Sequence, residues 1–287
     1  MSKPPFTLVS PVQRTTSVVF ASPHSGRDYP TEFLQSAILD ALEIRSSEDA
    51  FVDQLFDAGP AHGAPLLLAN APRAFVDLNR APEELDPALI EGIRRPSHNP
   101  RIASGLGVIP RVVSNGRAIR NGKMSLGEAH LRVTQFWRPY HDQLQTLLDQ
   151  AQNTFGEAIL IDCHSMPHEA IESVSANGGP RPDIVLGDRF GAAAAGSVME
   201  RIEAAFASAG FNVARNMPFA GAYIAQHYGR PSRHQHAVQV EIDRALYMDE
   251  RTVRPNANFE TFKAALDGVV AELAAIGAAG DLQVAAE

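Results

Sequence analysis

Residues 159–170 read ILIDCHSMPHEA and set an aspartate, the single cysteine, a histidine and a serine in a row. Four readings compete for such a row: a thiol nucleophile, a serine nucleophile, a metal site, or only the end of a buried strand. A strand turns alternate side chains to opposite faces. Ile159, Ile161 and Cys163 then share one face, and Leu160, Asp162 and His164 the other. Cys163 keeps company with isoleucines, where a lone thiol is a small hydrophobe rather than the accessible thiolate a nucleophile needs. Ser165 stands in HSMP and Ser25 in HSG. Neither has the flanking glycines of a Gly-x-Ser-x-Gly elbow.

His164 is better placed. His24 holds a matching position after another apolar run, SVVFAS, and both histidines are followed by serine. Neutral imidazole is a good zinc ligand, and catalytic zinc needs a third protein ligand and one open position for water. A single cysteine excludes thiolate zinc knuckles, so a metal site must use His, Asp and Glu, and a nearby carboxylate is expected as the third ligand. Asp49 and Glu48 are the candidates. The spacing of Ser46 and Asp49 also matches a capping box, in which the acid only starts a helix, and taken alone it favours that reading. A local alternative sets His164, His168 and Glu172 at helical spacing, but Pro167 fits only the first turn of a helix. Asp162 shares the face of His164 and could orient an imidazole from behind.

In AVQVEIDR, alternation puts Glu241 with Gln239 and Asp243, opposite Val240 and Ile242. A glutamate aimed from a strand into a metal pocket can act as general base toward activated water. The blander reading is a solvated strand face. Arginine forks suit carboxylates. Arg80, with Asn79 beside it in VDLNR, Arg244 after the Glu241 strand, and Arg189 in GDR are the candidates for gripping an acidic substrate. Any one arginine on its own reads equally well as a surface salt bridge.

These residues need elements to hold them. SVVFAS (17–22), AILIDC (158–163) and DIVLG (183–187) predict buried strands that end in polar or glycine residues. FNVAR, AYIAQHYG and HAVQVEID predict further strands. APLLLANAPRAFVDLNR predicts two short strands around a turn at Ala71 and Pro72. Helices are predicted from Phe51 to a stop at Gly59, from a capping box at Ser125 and Glu128 with a kink at Pro139, over 190–209, and over about 257–276. Residues 81–123 are rich in Pro, Arg, Asn and Gly and read as a long irregular insertion of the functional kind. Strands alternating with helices predict a three-layer α/β/α domain, one domain over 1–287, with a mostly parallel or mixed central sheet. Its chemistry belongs at the carboxyl ends of the strands.

A chain of 287 residues is within reach of one large α/β domain. A net charge of −8 argues against a general nucleic-acid partner. The N-terminus lacks a signal-peptide pattern, and no apolar stretch approaches a membrane span. The expectation is a cytoplasmic protein with a small carboxylate-bearing substrate and no nucleic-acid or membrane partner. Homo-oligomerisation stays open.

The ordered series SPHSG, SEDAFVDQLF, VDLNR, GLGVIPR, PYHDQL, IDCHSMP, PDIVLGDRFG, YIAQHYGRP and HAVQVEIDRALYMDE runs from about residue 20 to residue 250. It resembles the N-formylglutamate amidohydrolase family. The resemblance implies a zinc-dependent hydrolase, or one using another divalent metal, with a fold similar to zinc carboxypeptidases (phosphorylase/hydrolase-like). The implied reaction takes N-formyl-L-glutamate to formate and L-glutamate, the last step of one histidine degradation route. His24, His164 and Asp49 would be the metal ligands, with Glu48 as the alternative acid. Glu241 would be the general base, and Arg80 and Arg244 would hold substrate carboxylates. Two positions depart from the pattern: Ala50, where tryptophan is common, and PFAGAY before the tyrosine motif, where a second glycine is common. Both bear on which N-acyl amino acid is cleaved. Two readings from other classes remain, a non-catalytic binder of acidic amino acids and a serine or cysteine hydrolase using Ser165 or Cys163.

Overall fold

A computed structural model describes residues 4–93, 99–172 and 181–278. The chain forms two compact units. One comprises Met1–Thr7, Pro23–Ala50 and Leu68–Gln143; the other comprises Leu8–Ser22, Phe51–Leu67 and Leu144–Glu287.

The β-branched apolar runs form the strands, as their fit to a pleated buried surface requires. Seven strands make the main sheet: β1 (Phe6–Val9), β2 (Val18–Ser22), β3 (Leu66–Ala69), β4 (Ala158–Met166), β5 (Ile184–Gly187), β6 (Val213–Arg215) and β7 (Gln235–Asp243). Their order is β1-β3-β2-β4-β7-β5-β6. β2 with β4, β4 with β7, and β5 with β6 are parallel, whereas β5 runs antiparallel to β7. The sheet is therefore mixed α/β and mostly parallel, as the alternation of elements predicts. β2, β4 and β5 are buried along their whole length, which is why they read as unbroken apolar runs. β4 continues three residues past the predicted strand, so its alternation carries through His164 to Met166.

The helix Phe259–Ile276 buries Phe262, Leu266, Val269, Val270 and Leu273. Each such side chain contributes roughly 1.5–3 kcal/mol. Among the described residues no helix is long and apolar enough to cross a membrane.

Several local expectations are corrected. YIAQHY is a helix, Tyr223–Tyr228, with Tyr223 stacked on His227 one turn later; six residues are too few to separate the two periods. No strand follows Pro72. The N–H groups of Phe75 and Val76 both bond back to the Pro72 carbonyl, and Val76–Leu78 is buried coil. The helix of 190–209 begins only at Gly196. The capping box at Ser46 does not form: the helix Val52–Leu55 starts after Phe51, at φ 69°, with no side-chain cap. At Ser125 it does form in part, its hydroxyl accepting from the Glu128 N–H at 3.1 Å. In place of a kink at Pro139, a π turn over Val133–Trp137 precedes the helix Arg138–Phe155. The wider turn makes room for the proline ring and its missing donor. In the 81–123 segment the described residues are turns and a single helical turn, Pro100–Ala103.

Candidate metal centre and hydrolytic site

In the first unit the SPHSG loop lies flat on the backbone at Asn70 and Ala71. A Cβ on Gly26 would come within 2.2 Å of the Ala71 carbonyl oxygen, so only glycine permits this approach. The N–H of Asp49 donates to the carbonyl of His24 at 3.0 Å, strapping the two residues together. Their side chains converge, with His24 Nδ1 3.4 Å from Asp49 Oδ2. On the other side of the ring, His24 Nε2 lies 2.7 Å from Asp77 Oδ1. Asp77 also accepts from the Asn79 N–H at 2.8 Å and from Arg73 Nε at 3.0 Å. Burial alone would raise the Asp77 carboxyl, but Arg73, His24 and Arg80 together hold it well below the usual carboxylate range. Asp77 is thus a carboxylate that accepts a hydrogen bond from Nε2–H and turns Nδ1 toward Asp49. That is how acids behind metal-binding histidines fix the tautomer. Sequence reading passed over Asp77. Its signal was an acid inside the apolar FVDL run, two residues before the Asn79 that it caps.

Glu48 and Asp49 separate clearly. The Glu48 carboxylate is gripped by Arg45, at 3.0 Å from Nε and 2.9 Å from Nη2, and by the Tyr29 hydroxyl at 2.6 Å. Burial and the adjacent Glu48 push the Tyr29 phenol far up, so it stays a donor. Arg80 is buried and donates to the carbonyls of Leu106 at 3.0 Å and Asn79 at 2.7 Å, tying the irregular segment down.

In the second unit, β4 and β7 are in register with His164 opposite Glu241 and Asp162 opposite Gln239. Register partners in a parallel pair point to the same side, so all four side chains share one face. Gln239 Nε2 donates to Glu241 Oε1 at 2.7 Å, and Gln239 Oε1 accepts from the Ala222 N–H at 3.1 Å. The glutamate is thereby steadied from its own strand. Asp162 Oδ1 lies 3.0 Å from His164 Nε2. The contact is close but poorly angled: neither oxygen of this fully buried carboxylate has a hydrogen-bond partner among the described residues. A buried carboxylate so placed is costly, and a cation held by His164 would balance it. On this observation the residues fit a metal.

Cys163 lies on the opposite face, fully buried, with its thiol 3.3 Å from the Ile161 carbonyl. Burial and then Asp162 push the thiol well above its ordinary range. A thiol reagent at neutral pH is expected to label Cys163 only after denaturant is added; fast labelling of the folded protein overturns this. Ser165, also on that face, accepts from Arg244 Nε at 3.2 Å. His164 lies in β4 while His168 opens the one-turn helix His168–Ile171, so the local His164–His168–Glu172 array does not share a helix. Arg189 follows β5 at φ 57°. Because β5 is antiparallel to β7, its end at Gly187 pairs with Gln239, and Ile184 pairs with Ile242. The carboxyl end of β5 therefore faces the opposite edge from those of β4 and β7.

His24 and Asp49 in the first unit and His164 in the second are all buried. β2 pairs with β4 with Ala21 opposite Asp162, and His24 follows three residues on. A family model described as N-formylglutamate amidohydrolase matches residues 16–248. The chain belongs to the N-formylglutamate amidohydrolase family.

An N-formylglutamate deformylase from Pseudomonas putida is 33% identical over 240 residues, covering 81% of this chain and 82% of that one. One from Pseudomonas aeruginosa is 29% identical over 237 residues, covering 82% and 83%. The crystal structure of N-formylglutamate amidohydrolase from Ralstonia eutropha JMP134 superposes with a TM-score of 0.89 at 34% identity, covering 95% of this chain and 98% of that one. An Agrobacterium tumefaciens gene product at 16% identity and TM-score 0.67 shares the fold.

Proposed function

We propose that the protein hydrolyses N-formyl-L-glutamate, or a related N-acyl amino acid, to formate and the free amino acid. The observation that carries this is the pairing of His164 with Glu241 on one face of two adjacent parallel strands, with Asp162 behind the histidine. His24, Asp49 and His164 would hold zinc or another divalent metal. That ion would supply Lewis acidity and lower the pKa of a bound water toward neutrality. Asp77 holds His24 Nε2 and so aims Nδ1, and Asp162 lies 3.0 Å from His164 Nε2. Asp49 is preferred to Glu48 because Arg45 and Tyr29 occupy the Glu48 carboxylate. Glu241 takes the proton of the attacking water and returns one to the leaving amine. Asn79, Arg80 and Arg244 are proposed to hold substrate carboxylates. A zinc-carboxypeptidase-like fold and a place at the end of histidine breakdown belong to the same reading. Similarity to the Pseudomonas N-formylglutamate deformylases supports the choice of substrate.

Formate release from a panel of N-formyl and N-acetyl amino acids, with and without chelator, tests it. The expected result is greatest release from N-formylglutamate, lost on chelation and restored by zinc. Chelator-insensitive release would instead favour Ser165 or Cys163, and binding without release a non-catalytic role.

A further inference from the structure

The face that bears His164 and Glu241 continues for one more strand step. Met166 lies opposite Asp243, and Asp243 is on the same side of β7 as Glu241. Asp243 is buried, and both its oxygens are engaged: Oδ1 accepts from the Ala245 N–H at 3.0 Å, and Oδ2 lies 2.7 Å from Nδ1 of His168. The backbone N–H of His168 donates to Glu250 Oε1 at 2.9 Å, which pins the residue itself. A guanidinium can only donate, so Nε2 accepts an N–H from Arg181 and Nδ1–H donates to Asp243. Arg181 is exposed and sits just ahead of β5. A buried acid thus fixes a half-buried imidazole, and the imidazole fixes an exposed guanidinium. Surface arginines spend rotamer entropy whenever they bind; this one is held in advance.

Resting on the proposed hydrolysis, we infer that Arg181, positioned by His168 and Asp243, reads the side-chain carboxylate of the substrate. His168 and Asp243 are positioning residues; Arg181 makes the contact. The placement suits the role. Glu241 and Asp243 lie two residues apart on one side of β7, so the base and the root of the triad share a strand. Guanidinium offers five N–H donors, of which His168 takes one, and a carboxylate is the group its fork fits best. The bland alternative is a surface triad that only tacks the strand ends together.

The test is calorimetric binding of L-glutamate and L-glutamine to the metal-loaded wild type and to Arg181→Gln, beside steady-state formate release from N-formylglutamate and N-formylglutamine. Arg181→Gln is expected to weaken glutamate at least tenfold and glutamine less than twofold. KM for N-formylglutamate should rise by a similar factor while kcat stays within twofold. His168→Gln should shift the glutamate-to-glutamine ratio in the same direction by less. Equal losses for both ligands, or no loss for glutamate, overturn the inference. If the wild type releases no formate from any N-formyl amino acid yet binds glutamate through Arg181, the hydrolytic reading fails and the carboxylate site stands.

Discussion

Glu241→Gln is expected to lower formate release by about 10²–10⁴-fold, the usual worth of a general base, with fold and metal content unchanged. The substitution is close to isosteric and removes the proton acceptor alone. The amide can still meet Gln239, which now donates to the Glu241 oxygen at 2.7 Å. The backbone of β7 stays locked between β4 and β5. The loss should therefore appear in kcat, with the melting temperature and zinc stoichiometry kept. Full turnover in a folded, metal-loaded variant would remove Glu241 from the role.

His24→Ala has the other large expected effect. It should abolish stoichiometric metal binding and with it turnover, measured by elemental analysis and by zinc titration of stripped protein. It should also cost stability, because Asp77 loses one of its partners. Arg73 and the Asn79 N–H remain on that carboxylate, so the cost is about 1–3 kcal/mol, the range for an undersatisfied buried acceptor. Asp77→Asn separates the two effects. It keeps the imidazole and should weaken metal affinity about 10–100-fold, as loss of an orienting acid does elsewhere. Metal bound with unchanged stoichiometry and affinity by His24→Ala would remove His24 from the ligand set.

The part of this site written in alternation was legible beforehand. The parity of ILIDCH separates Cys163 from Asp162 and His164, and β4 keeps that parity because it stays extended through Met166. The parity of AVQVEID likewise sets Glu241 beside Gln239 and Asp243. What was illegible depended on non-local pairing. The direction of β5 is set by its neighbour β7, and nothing within DIVLG records it, so Arg189 could not be assigned to an edge. Glu48 and Asp49 are equivalent in sequence; the difference arises because Arg45 and Tyr29 close on the first. Asp77 was hidden because an acid in FVDLNR looks like the polar side of a strand, whereas the chain there turns and buries it. YIAQHY misled through brevity, since a stretch shorter than two helical turns fits either period.

β7 carries Gln239, Glu241 and Asp243 on one side with a fixed rise between them. If the first steadies the base, the second moves the proton and the third, through His168, holds the group that meets the far carboxylate, then base and anchor hang on one backbone and shift together. The strand is locked between β4 and β5, so that relation survives motion in the loops around it.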